Sequence, residues 1–426
     1  MERAQRPTGR GNLALLVSGN AVSAFGNAIY LIAITLLLKR LTESALMLGL
    51  LQFLALSPGF LLSPFTGVVV DRVSRKRVVM LTDVYRGIVM LAAGAALAVP
   101  QLASTWLVLP VAFLAGVGHA LFVPAMHALI PAIVPTERVQ TATGLRALSS
   151  QIANLGGNAV GGALYALVGA PLLFALNGLT FLASAFQERF ITEEHGPGAA
   201  GSGGANDHQR DAAQPRSISS DAREGFRLVG RDRALRLLIV SQAGLFLVSP
   251  LFMVALPFIL LDELGMAESA LGYYFALALA GGIGSFAVLR RCARERMLGF
   301  PLVGLAYVAM AFAFAAVAAS TSATVLAGVA LVSGGAAAAV YLYAVTWIQS
   351  RTPARAHGRV FALLEAASAF VAPISYLLAG GVIETLGPEH RWIAFASVAT
   401  AAFGWAIVVL VRFPRAKSEQ SLARST

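Results

Sequence analysis

Nine stretches of 18 or more consecutive residues contain no Asp, Glu, Lys or Arg, and no other feature of the chain constrains its fold so tightly. They cover 11–38, 44–70, 87–136, 147–187, 237–261, 269–289, 297–350, 366–383 and 392–411. A helix needs roughly 20 apolar residues to cross a bilayer. The stretches 87–136, 147–187 and 297–350 therefore each hold two crossings, divided near Pro100/Gln101, Gly169/Pro171 and Ser320/Thr321. The chain reads as an all-α membrane protein with twelve spans.

The basic residues orient those spans, because Lys and Arg accumulate in short loops on the cytoplasmic face. Taking alternate loops, 28 of the 32 Lys and Arg, with the nearby Arg146 included, fall with the N-terminus, the loops near 71–77, 131–138, 188–236, 290–296 and 351–359, and the C-terminus. Lys39, Arg40 and Arg391 fall on the opposite side, and Arg86 lies within the third span. Both termini are expected in the cytoplasm. Arginine outnumbers lysine 29 to three, which suits a GC-rich bacterial genome and hence a bacterial cytoplasmic membrane.

The net charge of +11 and pI near 10.4 then belong to membrane-flanking loops that meet anionic lipid. A nucleic-acid binder would gather that charge on one soluble face, so no nucleic acid is expected. A composition of 57% hydrophobic and 12% charged residues excludes a soluble domain of this length. The first apolar segment, Leu13 to Leu38, is too long for a signal peptide and is expected to stay as the first span. The single cysteine, Cys292, reads as an incidental residue of an Arg-rich cytoplasmic loop with Arg290, Arg291, Arg294 and Arg296.

One segment, about 193–222, is rich in Gly, Ala, Ser and charge and cannot build a core. Ser220 or Asp221 then caps an expected amphipathic helix reaching Arg236. This gives an N-terminal six-helix bundle over 1–190, a partly disordered cytoplasmic linker over 191–233, a C-terminal bundle over 234–412 and a tail over 413–426. The halves resemble each other. Ser44-Ala45-Leu46 opens the second span as Ser269-Ala270-Leu271 opens the eighth. Pro135–Gly169 can be laid over Pro353–Gly387, whose ends are 218 apart, and shifting by one residue so that Gly161-Gly162 meets Gly380-Gly381 at an offset of 219 sets Arg146 on Glu365.

The loop after the second span reads Gly67-Val-Val-Val-Asp71-Arg72-Val-Ser-Arg75-Lys76-Arg77. It resembles the signature loop of the major facilitator superfamily, with Ser74 standing where glycine is usual. Further strings resemble the macrolide-efflux and siderophore-exporter-like permeases of that superfamily. They are Ser23-Ala-Phe-Gly26-Asn27-Ala-Ile-Tyr30, Thr42-Glu43-Ser44-Ala45, Pro131-Ala-Ile-Val-Pro135-Thr-Glu137-Arg138 and Gly358-Arg359-Val360. The resemblance implies the major facilitator fold: two pseudo-symmetric six-helix bundles with substrate held between them. It also implies a cytoplasmic latch in which Gly67, Asp71, Arg72 and Arg75 meet the start of the eleventh span at Arg359 and Glu365. By the internal repeat, Arg146 is expected to meet Glu295 in a second, weaker latch.

Charge inside hydrocarbon is costly and each case calls for a reason. Asp83 and Arg86 are three apart on one helical face and can pair with each other, while Glu365 lies about 9 Å into the eleventh span at 1.5 Å per residue. Either Glu365 or Asp83 is a candidate carrier of a coupling proton. Asn20, Ser23, Asn27 and Tyr30 form one polar stripe and Gln151, Asn154 and Asn158 another, each at steps of three and four. These stripes are candidates for the substrate cavity or for hydrogen bonding between helices.

His119 and His127 are eight apart, some 80° around the helix at about 3.6 residues per turn, and do not form a metal pair. No cofactor is expected. The chain has no HExxH or GxSxG motif for an intramembrane enzyme, and no GxxxxGK[ST] loop for direct ATP drive. The reading is a monomeric secondary active transporter, proton-coupled, exporting a bulky organic compound of drug-, macrolide- or siderophore-like kind by alternating access. A lipid flippase or importer on the same fold is the alternative.

Overall fold

The computed structural model describes residues 9–63, 65–66, 73–193, 227, 229–230, 232–294, 300–351 and 357–412. Its long elements, in chain order, are α1 (Gly9–Thr42), α2 (Ala45–Leu61), α3 (Arg75–Leu97), α4 (Thr105–Ile133), α5 (Val139–Glu188), α6 (Arg233–Phe258), α7 (Ser269–Arg294), α8 (Phe300–Ala319), α9 (Ala323–Arg351) and α10 (His357–Arg412). No strand occurs among the described residues. By length and composition nine of these helices can cross a membrane, and α2, with 17 residues, is just shorter.

Helices α5 and α10, of 50 and 56 residues, would each extend about 75 Å or more if straight, more than twice a hydrocarbon core. Each instead turns back at a glycine. Gly169 has φ 72° and ψ 175°, and Gly387 has φ 65° and ψ 178°, a backbone region open essentially to glycine alone. Pro171 and Pro388 follow, and neither can donate the N–H that would carry the helix through. Counting each of the two doubled helices twice gives twelve helical segments among the described residues, of which α2 is shorter than a full crossing.

Other boundaries follow local chemistry. The Ser44 hydroxyl accepts from the Met47 amide at 3.2 Å and caps α2. The Asp232 carboxylate accepts from Ala234 and Leu235 at 2.7 and 3.1 Å and caps α6. The division expected near Pro100 falls between α3 and α4, where Pro100–Leu102 forms a 3₁₀ turn, and that near Ser320 falls between α8 and α9. Large apolar side chains point outward, with Trp106 87% and Leu167 79% exposed, as helices solvated by lipid require.

Two expectations are corrected. Helix α7 runs through Arg294, so Arg290, Arg291, Cys292 and Arg294 lie on a helix and not in a loop. An apolar run ends where hydrocarbon ends, whereas a helix continues into water on residues whose long charged side chains reach outward. The paired glycine turns, Gly169 and Gly387, are 218 residues apart. In that register Arg146 aligns with Leu364, a buried core residue, and not with Glu365. Most of the linker, 194–226, the capping of a helix at Ser220 or Asp221 and the C-terminal tail lie outside the described residues.

The chain divides into two compact units, 1–215 with 267–273, and 216–266 with 274–426. In the first, α1 and α3 lie along α5, and α4 packs on α2 and α3. In the second, α10 packs on α8 and α6, and α8 on α9. The second unit centres on Phe252, whose ring meets Tyr274, Phe314 and Phe395 at centroid distances of 5.4, 6.0 and 6.0 Å.

Candidate functional site

Helices α3 and α5 approach closely because glycines face each other. A Cβ on Gly87 would lie 2.8 Å from Leu182, and one on Gly178 would lie 2.8 Å from Leu91 and 2.9 Å from the Gly87 carbonyl oxygen. Small residues at such crossings let backbones touch in a membrane. One turn along α3 from Gly87 is Asp83, and further along the same stripe of α5 come Phe181, Ser184 and Glu188. The crossing therefore brings two carboxylates from distant parts of the chain together.

Arg86 completes the cluster. Its Nη2 pairs with Asp83 Oδ1, and its guanidinium carbon lies 4.2 Å from the ring centroids of both Phe122 on α4 and Phe181 on α5. Gly118 on α4 leaves room for its stem. Two desolvated cation–π contacts, each worth up to about 2 kcal/mol, hold the charge in place. The Ser184 hydroxyl donates to Glu188 Oε1 at 3.3 Å, and the Asp83 and Glu188 carboxyl groups meet.

All three charged groups are buried, at 0% exposure for Asp83, 1% for Glu188 and 6% for Arg86. Two carboxylates face one guanidinium. Among the described residues Asp83 Oδ2 and Glu188 Oε2 have no hydrogen-bond donor. A buried carboxylate without its counter-charge costs several kcal/mol, so the cluster is incomplete by one positive charge.

A sequence profile described as the Major Facilitator Superfamily matches residues 16–318. The chain belongs to the Major Facilitator Superfamily. The match thus places a chain with several helices able to cross a membrane in a superfamily of transporters. The facilitator is 31% identical to macrolide efflux protein A of Streptococcus pyogenes over 153 residues, 35% of this chain and 37% of that protein. It is 24% identical to the uncharacterized MFS-type transporter YfiS of Bacillus subtilis over 174 residues, 41% and 40% of the two chains. The match thus spans well under half the length of these curated relatives.

Among solved structures, a bacterial homologue of the human lysosomal transporter Spinster aligns with a TM-score of 0.67 at 16% identity, covering 96% of this chain and 95% of that one. A bacterial homologue of the iron transporter ferroportin gives 0.67 at 19%, covering 94% and 98%. At such identities these likenesses show the fold alone.

Within the facilitator the expected site residues separate into groups. Gly67, Asp71, Arg72 and Glu295 lie outside the described residues, as do the side chains of Arg359 and Glu365 on α10. Arg75 opens α3, and Arg146 on α5 is half-buried, its Nε without a hydrogen-bond partner among the described residues. Asn20 donates to the Ser150 hydroxyl, Ser23 donates to the Asn20 carbonyl at 3.2 Å, and buried Tyr30 packs edge-on against Phe174 at 5.0 Å. These three are engaged in packing within the first unit. Asn27, Asn154 and Asn158 are half-buried and Gln151 is exposed.

Glu188 was not among the expected residues. It directly follows the uncharged run 147–187 and so reads as the first loop residue, yet α5 continues through it and turns it inward. Its signal was the stripe Gly178, Phe181, Ser184, Glu188 at steps of three and four, which shares the face that meets α3.

The end of α5 is tied down just beyond Glu188. Glu193 Oε1 accepts from the Ser74 hydroxyl and from the Lys76 amide, each at 2.9 Å, and Lys76 Nζ donates to the Arg189 carbonyl at 2.7 Å. Asn12 on α1 exchanges hydrogen bonds with the Thr192 backbone at 3.0 and 3.1 Å.

Proposed function

We propose that this facilitator is a secondary active exporter of a bulky, macrolide-like organic compound, driven by protons, with both termini in the cytoplasm. The observation that carries the reading is the 31% identity to macrolide efflux protein A over 153 residues, joined to the superfamily match. Transport proceeds by alternating access. Asn27, Gln151, Asn154 and Asn158 supply polar points for the substrate, since sites for organic molecules are apolar with few placed polar groups. Gly67, Asp71, Arg72, Arg75, Arg359 and Glu365 act as the latch, and Arg146 with Glu295 as a weaker second one.

The test uses inverted membrane vesicles loaded with the protein and offered radiolabelled erythromycin, with and without an imposed pH gradient. Accumulation above that of vesicles lacking the protein, rising with an acidic interior, supports proton-driven export. Accumulation equal to the control under both conditions overturns it.

A further inference from the structure

Among the described residues the cluster of Asp83, Arg86 and Glu188 has one negative charge in excess, two carboxyl oxygens with no donor, and a cation that is fixed beside Asp83 with its own Nε unpartnered. Arg86 is held between two aromatic rings and already paired to Asp83. The only small particle that supplies both the missing positive charge and the missing donor is a proton. Placed on one carboxyl, it donates to the other and leaves the buried group neutral.

Among the described residues the surroundings offer no substitute. Helix α3 brings only Asp83 and Arg86 to the cluster. Helix α4 adds His119, an exposed side chain whose charged form would oppose Arg86. Helix α1 presents Gly19 beside Ser184 and Gln187, neither ionisable. Lys76, Arg189 and Glu193 lie beyond the end of α5 and bind one another. An exchangeable site also needs a short path to water, and Arg189, the residue after Glu188, is exposed.

Resting on the reading that transport is proton-driven, we propose that Asp83 and Glu188 bind a single shared proton with Arg86 as fixed counter-charge, and that this proton is exchanged during transport. Asp83 alone would be silent, because its pair with Arg86 is neutral. Glu188 makes the cluster responsive. On binding, a proton from water forms an O–H bond on one carboxylate; on release that bond breaks and the proton returns to water, with no other group consumed.

The site is tested on the purified full-length protein by infrared difference spectroscopy across a pH titration in H₂O and D₂O, which needs no substrate. The expected result is one protonated-carboxyl stretching band in the parent that shifts in D₂O, is lost at high pH, and is missing from Glu188→Gln and from Asp83→Asn. A parent with no such band, or variants that both retain it, overturns the site. Two near-isosteric variants guard against one that fails to fold, and each is checked by size-exclusion chromatography.

The exchange is tested in the erythromycin vesicle assay. Glu188→Gln should lose at least tenfold of the gradient-driven accumulation while retaining erythromycin counterflow without a gradient. Unchanged gradient dependence in Glu188→Gln overturns the assignment of the transported proton. Parent vesicles indifferent to the gradient would instead remove proton drive itself, and the infrared band would then mark a proton fixed in the fold, refuting its exchange.

Discussion

Glu193 stabilises the start of α3 through two contacts, taking the Ser74 hydroxyl and the Lys76 amide on one carboxylate oxygen. An unsatisfied amide at a helix start welcomes a carboxylate. Ser74 is the position at which the signature loop departs from its usual glycine, and the hydroxyl gained there is the one that Glu193 holds. Ser74→Gly and Glu193→Gln should each cost about 1 kcal/mol, the scale of a hydrogen bond to a charged acceptor that water partly replaces. Thermal unfolding in detergent measures this, and the double variant should cost less than the sum of the two. Strict additivity would mean that the two side chains do not act together. At this level the sequence was partly legible. The pairing of Asp83 with Arg86 follows from their spacing, but Glu188 was hidden because a charge at the edge of an apolar run looks the same whether it faces water or turns inward.

The helices themselves were more readable than the groups they carry. The breaks at Pro100 and Gly169 were visible because proline and glycine remove either a donor or a Cβ that an unbroken helix requires. Helix ends were less so, and α7 extends to Arg294 because charge ends a membrane crossing without ending a helix. The crossing of α3 on α5 depends on Gly178, where even a methyl group meets Leu91 and the Gly87 carbonyl. Gly178→Leu should lower stability by about 2 kcal/mol or more, as overpacking of a tight core does. It should also separate Asp83 from Glu188 and abolish the shared infrared band. Gly387→Ala should cost about 1–2 kcal/mol through its left-handed backbone alone, since no neighbouring atom lies within reach of the added methyl. A melting temperature unchanged in detergent would show that the turn relaxes without glycine.

For the molecule taken whole, Arg40 and Arg391 are two of the residues that depart from the expected charge rule, and both are neutralised. Arg40 pairs with Glu268 and stacks on Tyr165 at 5.2 Å, and buried Arg391 pairs with Glu263 while its Nε donates to the Pro388 carbonyl at 3.3 Å. Both pairs are thus compatible with the expected placement of the two termini on one side of the membrane. In a Cys292→Ser background, Ala4→Cys and Ser421→Cys should both react with a membrane-impermeant maleimide in inverted vesicles and neither in intact cells. Labelling of one from each side would break the even number of crossings. Because Asp83 and Arg86 sit a single turn apart, the part of α3 beyond Arg77 can enter the bilayer with no net charge. Glu188, synthesised about a hundred residues later, becomes hidden only when the last limb of the unit settles on it. Pairing within the helix thus lets a charged pair be threaded into oil before its companion has been translated.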